Sequence, residues 1–176
     1  MTRLVFIERD KCVGCYACVV ACKLEHNLPP HPVNPPRPDQ TAPAFIRVAE
    51  VGPDVSGEAV YQYFQPVMCR HCLPAPCVEA CSVAALYKDP ETKITMVKRD
   101  QCTGCQLCLA VCPWKVPRFY DGKVMLCNLC GHREDRERGR RTACEAACPA
   151  GVIHTGTAQE IAAWKERKAA ERVDRL

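Results

Sequence analysis

The chain has 176 residues, with 24 Lys and Arg against 20 Asp and Glu and a formal net charge of +4. The two signs are interleaved, so no nucleic-acid field is indicated, and without an unbroken apolar run of about eighteen residues no membrane span is expected. The hydrophobic share of 48% includes sixteen cysteines, and with only four Phe and two Trp the core is small enough to need staples.

In chain order, residues 4–7 (LVFI) read as a short strand. The run is too short for a signal peptide and Glu8 follows at once; there is no twin-arginine start, and Arg140-Arg141 lies mid-chain. A reducing cytoplasmic setting suits free thiols, with export alongside a signal-bearing partner left open. The first four cysteines are Cys12, Cys15, Cys18 and Cys22. Residues 27–43 then hold seven prolines (Pro29, Pro30, Pro32, Pro35, Pro36, Pro38 and Pro43). Such a stretch is extended, and serves as a surface loop or as a stiff docking arm for a partner. Residues 45–51 and 59–65 read as strands around a turn at 52–57.

The second group is Cys69, Cys72, Cys77 and Cys81. Residues 83–87 and 93–97 then form a hairpin around a turn at 88–92, which leads into Cys102, Cys105, Cys108 and Cys112. The fourth group is Cys127, Cys130, Cys144 and Cys148, with a charge run at 133–141 inside it. That run is a solvated loop or a docking face. A strand is expected at 150–154 and a helix at 157–176. Thr157 with Glu160 makes a capping box, and Ala158, Ile161, Ala162, Ala169 and Val173 give a weak apolar stripe beside Trp164. The histidines (His26, His31, His71, His132, His154) read as surface groups or as groups packed around the ligands.

The cysteines decide the chemistry. Cys102-x2-Cys105-x2-Cys108-x3-Cys112-Pro113 is the bacterial ferredoxin run, whose fourth cysteine serves the other cluster of a pair. A tetrahedral zinc knuckle has no use for the third cysteine at successive x2 spacing. A disulfide framework belongs to short secreted chains, and no Cys-x-x-Cys is followed by the His that haem attachment needs. Cys108 and Cys112 stand one helical turn apart, a rise of about 6 Å, so one short helix offers thiolates to two clusters. Pro113 and Pro149 end such helices; Lys23 and Ser82 replace them in the first two groups.

Residues 4–22 (LVFIERDKCVGCYACVVAC) repeat at 94–112 (ITMVKRDQCTGCQLCLAVC), sharing Arg9/Arg99, Asp10/Asp100, Gly14/Gly104 and all four cysteines. The two glycines are expected where backbone passes close to a cluster. Groups two and three form a complete module, and groups one and four form the same module cut open, so the strand at 150–154 should pair with the N-terminal strand. Exchanging the fourth cysteines gives four ligand sets. Set A is Cys12, Cys15, Cys18 and Cys148; set B is Cys22, Cys127, Cys130 and Cys144. Set C is Cys69, Cys72, Cys77 and Cys112; set D is Cys81, Cys102, Cys105 and Cys108. The expected fold class is α+β, with two bacterial-ferredoxin-like modules, one inserted in the other, built from short helices and β-hairpins. The split module takes 1–26 plus 120–156, the arm and strands 27–65, the inserted module 66–119, and the terminal helix 157–176.

On Cys12-Val-Gly-Cys15-x2-Cys18-x3-Cys22-Lys23-x-Glu25, Cys69-x2-Cys72-x2-Ala75-Pro76-Cys77-x3-Cys81 and the closing Cys148-Pro149, the chain resembles the four-cluster ferredoxins. These are the iron–sulfur subunits that accompany molybdenum and tungsten oxidoreductases, such as dimethyl sulfoxide, polysulfide and nitrate reductases and formate dehydrogenase. The resemblance implies four [4Fe-4S] clusters, since no cysteine is replaced. It also implies a non-catalytic role in electron transfer, alongside a large molybdenum or tungsten subunit. A flavin subunit, a membrane anchor or further copies of the chain are the other partners in view. A free-standing polyferredoxin, a hydrogenase-linked carrier and, remotely, a zinc-structured binding module are the alternatives.

Overall fold

A computed structural model describes residues 2–28, 43–56, 59–133 and 141–173. Most of the proline stretch, His31 and the middle of the charge run therefore lie outside the described residues. Within them the sheet structure consists of four two-stranded antiparallel ribbons. β1 (Arg3–Ile7) pairs with β8 (Ile153–Thr157), β2 (Ile46–Ser56) with β3 (Ala59–Met68), β4 (Leu86–Lys88) with β5 (Thr95–Val97), and β6 (Arg118–Tyr120) with β7 (Lys123–Met125). Among the described residues there are also five α-helices: α1 (Ala17–Glu25), α2 (Pro76–Glu79), α3 (Leu107–Val111), α4 (Ala143–Ala146) and α5 (Ala158–Val173).

The two halves of the chain repeat one plan. Each begins with a strand (β1, β5) and a single 3-10 turn (Arg9–Lys11, Arg99–Gln101). A cysteine loop, a helix (α1, α3) and a hairpin (β2–β3, β6–β7) follow. A second cysteine loop, a four-residue helix (α2, α4) and a closing strand (β4, β8) end the half. Closing strands pair across the halves: β8 returns to β1, with Ile153 opposite Ile7, and β4 meets β5, with Leu86 opposite Val97. The helices follow suit, α1 packing on α4 and α2 on α3. The repeat extends well beyond the nineteen-residue match visible in the sequence.

Backbone conformation carries the same symmetry. Tyr16 and Gln106, immediately before α1 and α3, are both left-handed, with φ of 59° and 63°. His71 and Leu129 match at 50° and 52°, and Gly14 and Gly104 at 67° and 73°. The two glycines are needed for a reason other than a cluster alone. A Cβ on Gly14 would lie 2.6 Å from the Phe64 ring of β3, and one on Gly104 would lie 2.2 Å from the Gly122 carbonyl at the β6–β7 turn. Each hairpin thus lies tight against the cysteine loop that precedes it.

The core is thin. Met68, Leu129, Ile153, Val124 and Val152 are among its largest fully buried side chains, and cysteines share the rest of the cluster with residues such as Ile7, Ile46 and Leu86. Two local expectations are corrected. Residues 52–57 do not form the hairpin turn: β2 runs on to Ser56, and the register shifts between Val51 and Asp54. Gly52, at φ 103°, lets the strand bulge past Pro53 without turning. On α5 the reciprocal capping box is present, the Thr157 N–H on Glu160 Oε2 at 2.6 Å and the Glu160 N–H on Thr157 Oγ1 at 3.2 Å. Its apolar stripe is not what anchors it: Ala158, Ala162 and Ala169 are not buried, and the side chain of Val173 lies outside the described set. The Trp164 ring is the anchor, 3.6 Å from the His154 ring centroid and 5.7 Å from that of Phe6.

Candidate metal centres

The cysteines gather into lined spaces. Cys12, Cys15, Cys18 and Cys148 line one cavity, otherwise walled by residues such as Val48, Pro66, Val152 and Ile153. Cys22, Cys127, Cys130 and Cys144 line another, walled by Ile46, Met68, Leu129 and Ala143. Each brings a residue from the end of the chain onto a loop from its beginning. The means are the β1–β8 pairing and the packing of α4 on α1.

Burial dominates the thiols' acidity. It pushes Cys18 up to about 11, helped by the neighbouring Cys148, Cys12 and Cys15. Cys69 is pushed up to about 12 by burial, with Cys77, Cys72 and Cys112 adding to it. Cys108 reaches about 11, with Cys77, Cys102 and Cys105 as its thiol neighbours. Cys144 reaches about 12, next to Cys130, Cys22 and Cys18. Cys127 is raised by burial well above the ordinary thiol range, and Cys144, Cys69 and Cys22 act on it. These neighbours tie the gatherings to one another: Cys18 to Cys144, Cys127 to Cys69, and Cys77 to Cys108. The thiols therefore form one series through the molecule. Cys15 and Cys105 are its only exposed cysteines.

Hydrogen-bond donors converge on the sulfurs. Backbone N–H groups donate to Cys69 Sγ from His71 (3.4 Å), to Cys127 Sγ from Leu129 (3.3 Å) and to Cys81 Sγ from Leu86 (3.4 Å). Others reach Cys102 Sγ from Val124 (3.4 Å) and Cys148 Sγ from Val152 (3.4 Å). His71 and Leu129 stand two residues after their cysteines in matching left-handed turns, so one backbone motif serves both. The N–H groups of Phe45 and Ile46 pull Cys22 down against the upward effect of its burial. Thr142 Oγ1 lies 3.4 Å from Cys144 Sγ.

The donor chemistry fits an iron–sulfur group. Each cavity offers four thiols, apolar walls and aimed N–H groups, with no carboxylate in its lining. Among the described residues no three Cys, His, Asp or Glu side chains are grouped as a single metal ion would require.

A family model described as a 4Fe-4S dicluster domain matches residues 60–158, and one described as a 4Fe-4S binding domain matches residues 3–24. The chain belongs to the 4Fe-4S dicluster ferredoxin family. It is thus an iron–sulfur protein of electron transport. Similar proteins include the Hydrogenase-2 operon protein HybA of Escherichia coli O157:H7, 34% identical over 90% of this chain and 53% of its own length. A sulfite dehydrogenase subunit of Allochromatium vinosum is 36% identical, over 95% of this chain and 76% of its own. The thiosulfate reductase electron transfer subunit PhsB of Salmonella typhi is 30% identical, over 92% and 80%. The chain spans about half the length of the HybA relatives.

Several groups around this ferredoxin's cysteines carry no advance signal in the sequence. His71 is buried, and its Nδ1 lies 3.7 Å from Cys69 Sγ while accepting the Thr95 N–H at 3.0 Å. His26 Nε2 lies 3.9 Å from Cys130 Sγ, its ring edge-on to Phe45. Lys88 donates to the His71 carbonyl at 2.9 Å, and Cys69, Cys72 and Cys77 act on it. Lys23 is buried beside Cys22. His132 and Arg133 bind the Glu25 carboxylate at 3.0 and 2.6 Å, fastening the fourth cysteine segment to the end of α1. His154 packs against Trp164, away from any sulfur contact. A His two places after a cysteine is the one visible hint, and it concerns His71 and His132 alone.

Proposed function

We propose that the protein is the electron-transfer subunit of an oxidoreductase complex. It holds four [4Fe-4S] clusters as a wire between a molybdenum- or tungsten-containing catalytic subunit and another redox partner. The clusters are bound by sets A, B, C and D, in two nested ferredoxin-like modules. The observation that carries this reading is the series of thiols that act on one another, Cys18 on Cys144, Cys69 on Cys127 and Cys77 on Cys108, through which sets A, B, C and D would be linked. Cys15 and Cys105 are exposed at its two ends. The likeness to PhsB, an electron transfer subunit, supports it. So does the likeness to the sulfite dehydrogenase relative, itself one subunit among others.

When bound, a [4Fe-4S] cluster supplies a one-electron carrier whose potential depends on its ligands, hydrogen bonds and solvent exposure. The chain's own residues set those levers. The buried cysteines of set B hold their site away from water, whereas Cys15 and Cys105 leave sets A and D open to a partner. N–H donors from His71, Leu86, Val124, Leu129 and Val152 favour negative charge on the sulfurs, as do the cations Lys23 and Lys88. Because burial raises the thiols, loading the sites with metal must release protons. Substrate chemistry is assigned to the catalytic partner. Among the described residues no helix is long and apolar enough to cross a membrane. A cytoplasmic, reducing setting suits the free thiols.

Anaerobic purification from the native host tests the proposal. About sixteen irons per chain, a broad brown absorbance and a co-purifying large subunit with molybdenum or tungsten are expected. A chain that purifies alone would leave it a free polyferredoxin. Zinc without colour would overturn the cluster assignment altogether.

A further inference from the structure

The two ends of the cysteine series differ in charge. At one end Cys105, Gln106, Leu107, Ala110, Lys115 and Arg118 line an open cleft that no carboxylate enters. Lys115 Nζ donates to the carbonyls of Leu109 (3.3 Å) and Ala110 (2.7 Å) at the end of α3. An Arg118 nitrogen donates to the carbonyls of Lys115 (3.1 Å) and Pro117 (3.4 Å). Those carbonyls fix the two side chains without neutralising them, and among the described residues neither joins an ion pair. The cleft between β1 and α5 offers a contrast. Lys11, Lys165 and Lys168 line it, but so do Glu8 and Glu171, which pair with Lys11 and Lys168, while Lys165 lies over the Phe6 ring.

Beside the uncompensated charges, Leu107 and Val111 are four residues apart on one face of α3 and are 48% and 41% exposed. A small apolar patch with a basic edge, next to an exposed cysteine, suits a weak and fast redox encounter. Such contacts bury little area and are steered by charge. The Cys15 end is different: Val13 and Tyr16 stand exposed there and no charged side chain lines its cavity. That make-up suits a lasting subunit contact.

We propose that the Cys105 cleft is the docking site for the acidic face of a small one-electron carrier protein. The proposal rests on reading Cys105 as a cluster ligand, and its test separates the two claims. The holoprotein is titrated with a plant-type ferredoxin, an acidic carrier, at low salt, and binding is followed by chemical-shift changes on the labelled ferredoxin. Carbodiimide cross-links are mapped in parallel. Binding is expected to weaken about tenfold in Arg118→Glu and again in the Lys115→Glu/Arg118→Glu double variant, and to be lost at about 0.5 M salt. Lys11→Glu, in the compensated cleft, is expected to leave it unchanged. Cross-links in the wild type should fall on Lys115. Iron content is measured on every variant, so a lost cluster is told apart from a lost docking site. Equal weakening by Lys11→Glu, cross-links spread over all lysines, binding indifferent to salt, or self-cross-linking of the chain through Lys115 would each overturn the proposal.

Discussion

Helices α1 and α3 begin alike and end differently. Both follow a left-handed residue and both deliver a cysteine from their first turn. After its last cysteine α3 meets Pro113, which has no N–H and disfavours helix at the residue before it, so Cys112 is already extended at ψ 116°. α1 meets Lys23, continues to Glu25, and there receives Arg133 from the far end of the chain. One substitution at the position after the cysteine thus separates a helix that stops at the surface from one that ties the interior together. The hairpins differ in the same sense: the long β2–β3 ribbon supplies Ile46, Pro66 and Met68 to the core around the first and fourth groups, and Cys22 is buried, while Cys112, its counterpart beside short β6–β7, is only half-buried. The loops themselves are covered alike, with Cys15 and Cys105 both exposed, so the two repeats part company only at their fourth cysteine.

The contrast between interior and end sites can be broken by single substitutions. The largest effect is expected from Cys127→Ser, which damages the site whose four cysteines are all buried. Metal binding free energy is folding free energy here, so the variant should lose well over a quarter of its iron and its cooperative thermal transition. Cys105→Ser, at the exposed end, should lose or alter one cluster and keep the transition. Equal losses in iron analysis and melting would erase the distinction. Next, Lys23→Pro should end α1 where α3 ends, at a cost of about 3 kcal/mol or more, read by denaturant titration together with loss of the Glu25–Arg133 tie.

The glycines give a smaller, sharper test. Gly104→Ala places a methyl against a backbone carbonyl, and Gly14→Ala places one against a ring that can turn aside. Left-handed strain adds about 1–2 kcal/mol at both. We expect about 3 kcal/mol for Gly104→Ala and about 2 for Gly14→Ala, with Phe64→Leu relieving only the second in a double-mutant cycle. The smallest effect concerns Glu25. Hydrogen bonds from Arg133, and then from His132, hold its carboxyl below the ordinary range. A carboxyl depressed in the folded state contributes stability above its unfolded pKa of about 4.3, lost as pH falls through the folded value. Hydrogen exchange at the end of α1 should therefore quicken as pH drops below about 4 after correction for intrinsic rates. Glu25→Gln should show the faster exchange at neutral pH, by about 1–2 kcal/mol, without that acid dependence.

Much of this was legible in the residues. The spacing of Cys102 to Cys112 names its chemistry. The repeat of Arg9-Asp10 at Arg99-Asp100 points to a strand after Cys148 against the N-terminal one, though that strand lies at Ile153–Thr157 and not at 150–154, and Thr157 with Glu160 gives the cap. What was not legible depends on backbone direction. Gly52-Pro53 reads as a turn, and only the pairing of Asp54 with Tyr61 makes it a bulge. The alanines of α5 read as a stripe, while one aromatic contact, Trp164 on His154, fixes which side faces inward. The N–H groups that reach the sulfurs carry no side-chain signature, since any residue supplies one when a left-handed turn aims it. The charge run shows the limit of composition: that Arg133 reaches Glu25 could not be picked out from the run.

Exchange of the fourth cysteines is what would join the clusters into pairs and the pairs into a wire. Iron anomalous diffraction from crystals of the anaerobically prepared holoprotein tests it most directly. It should show Cys22 bound to the same cluster as Cys127, Cys130 and Cys144, and Cys148 bound with Cys12, Cys15 and Cys18. Cys22 on the cluster of Cys12 would contradict it.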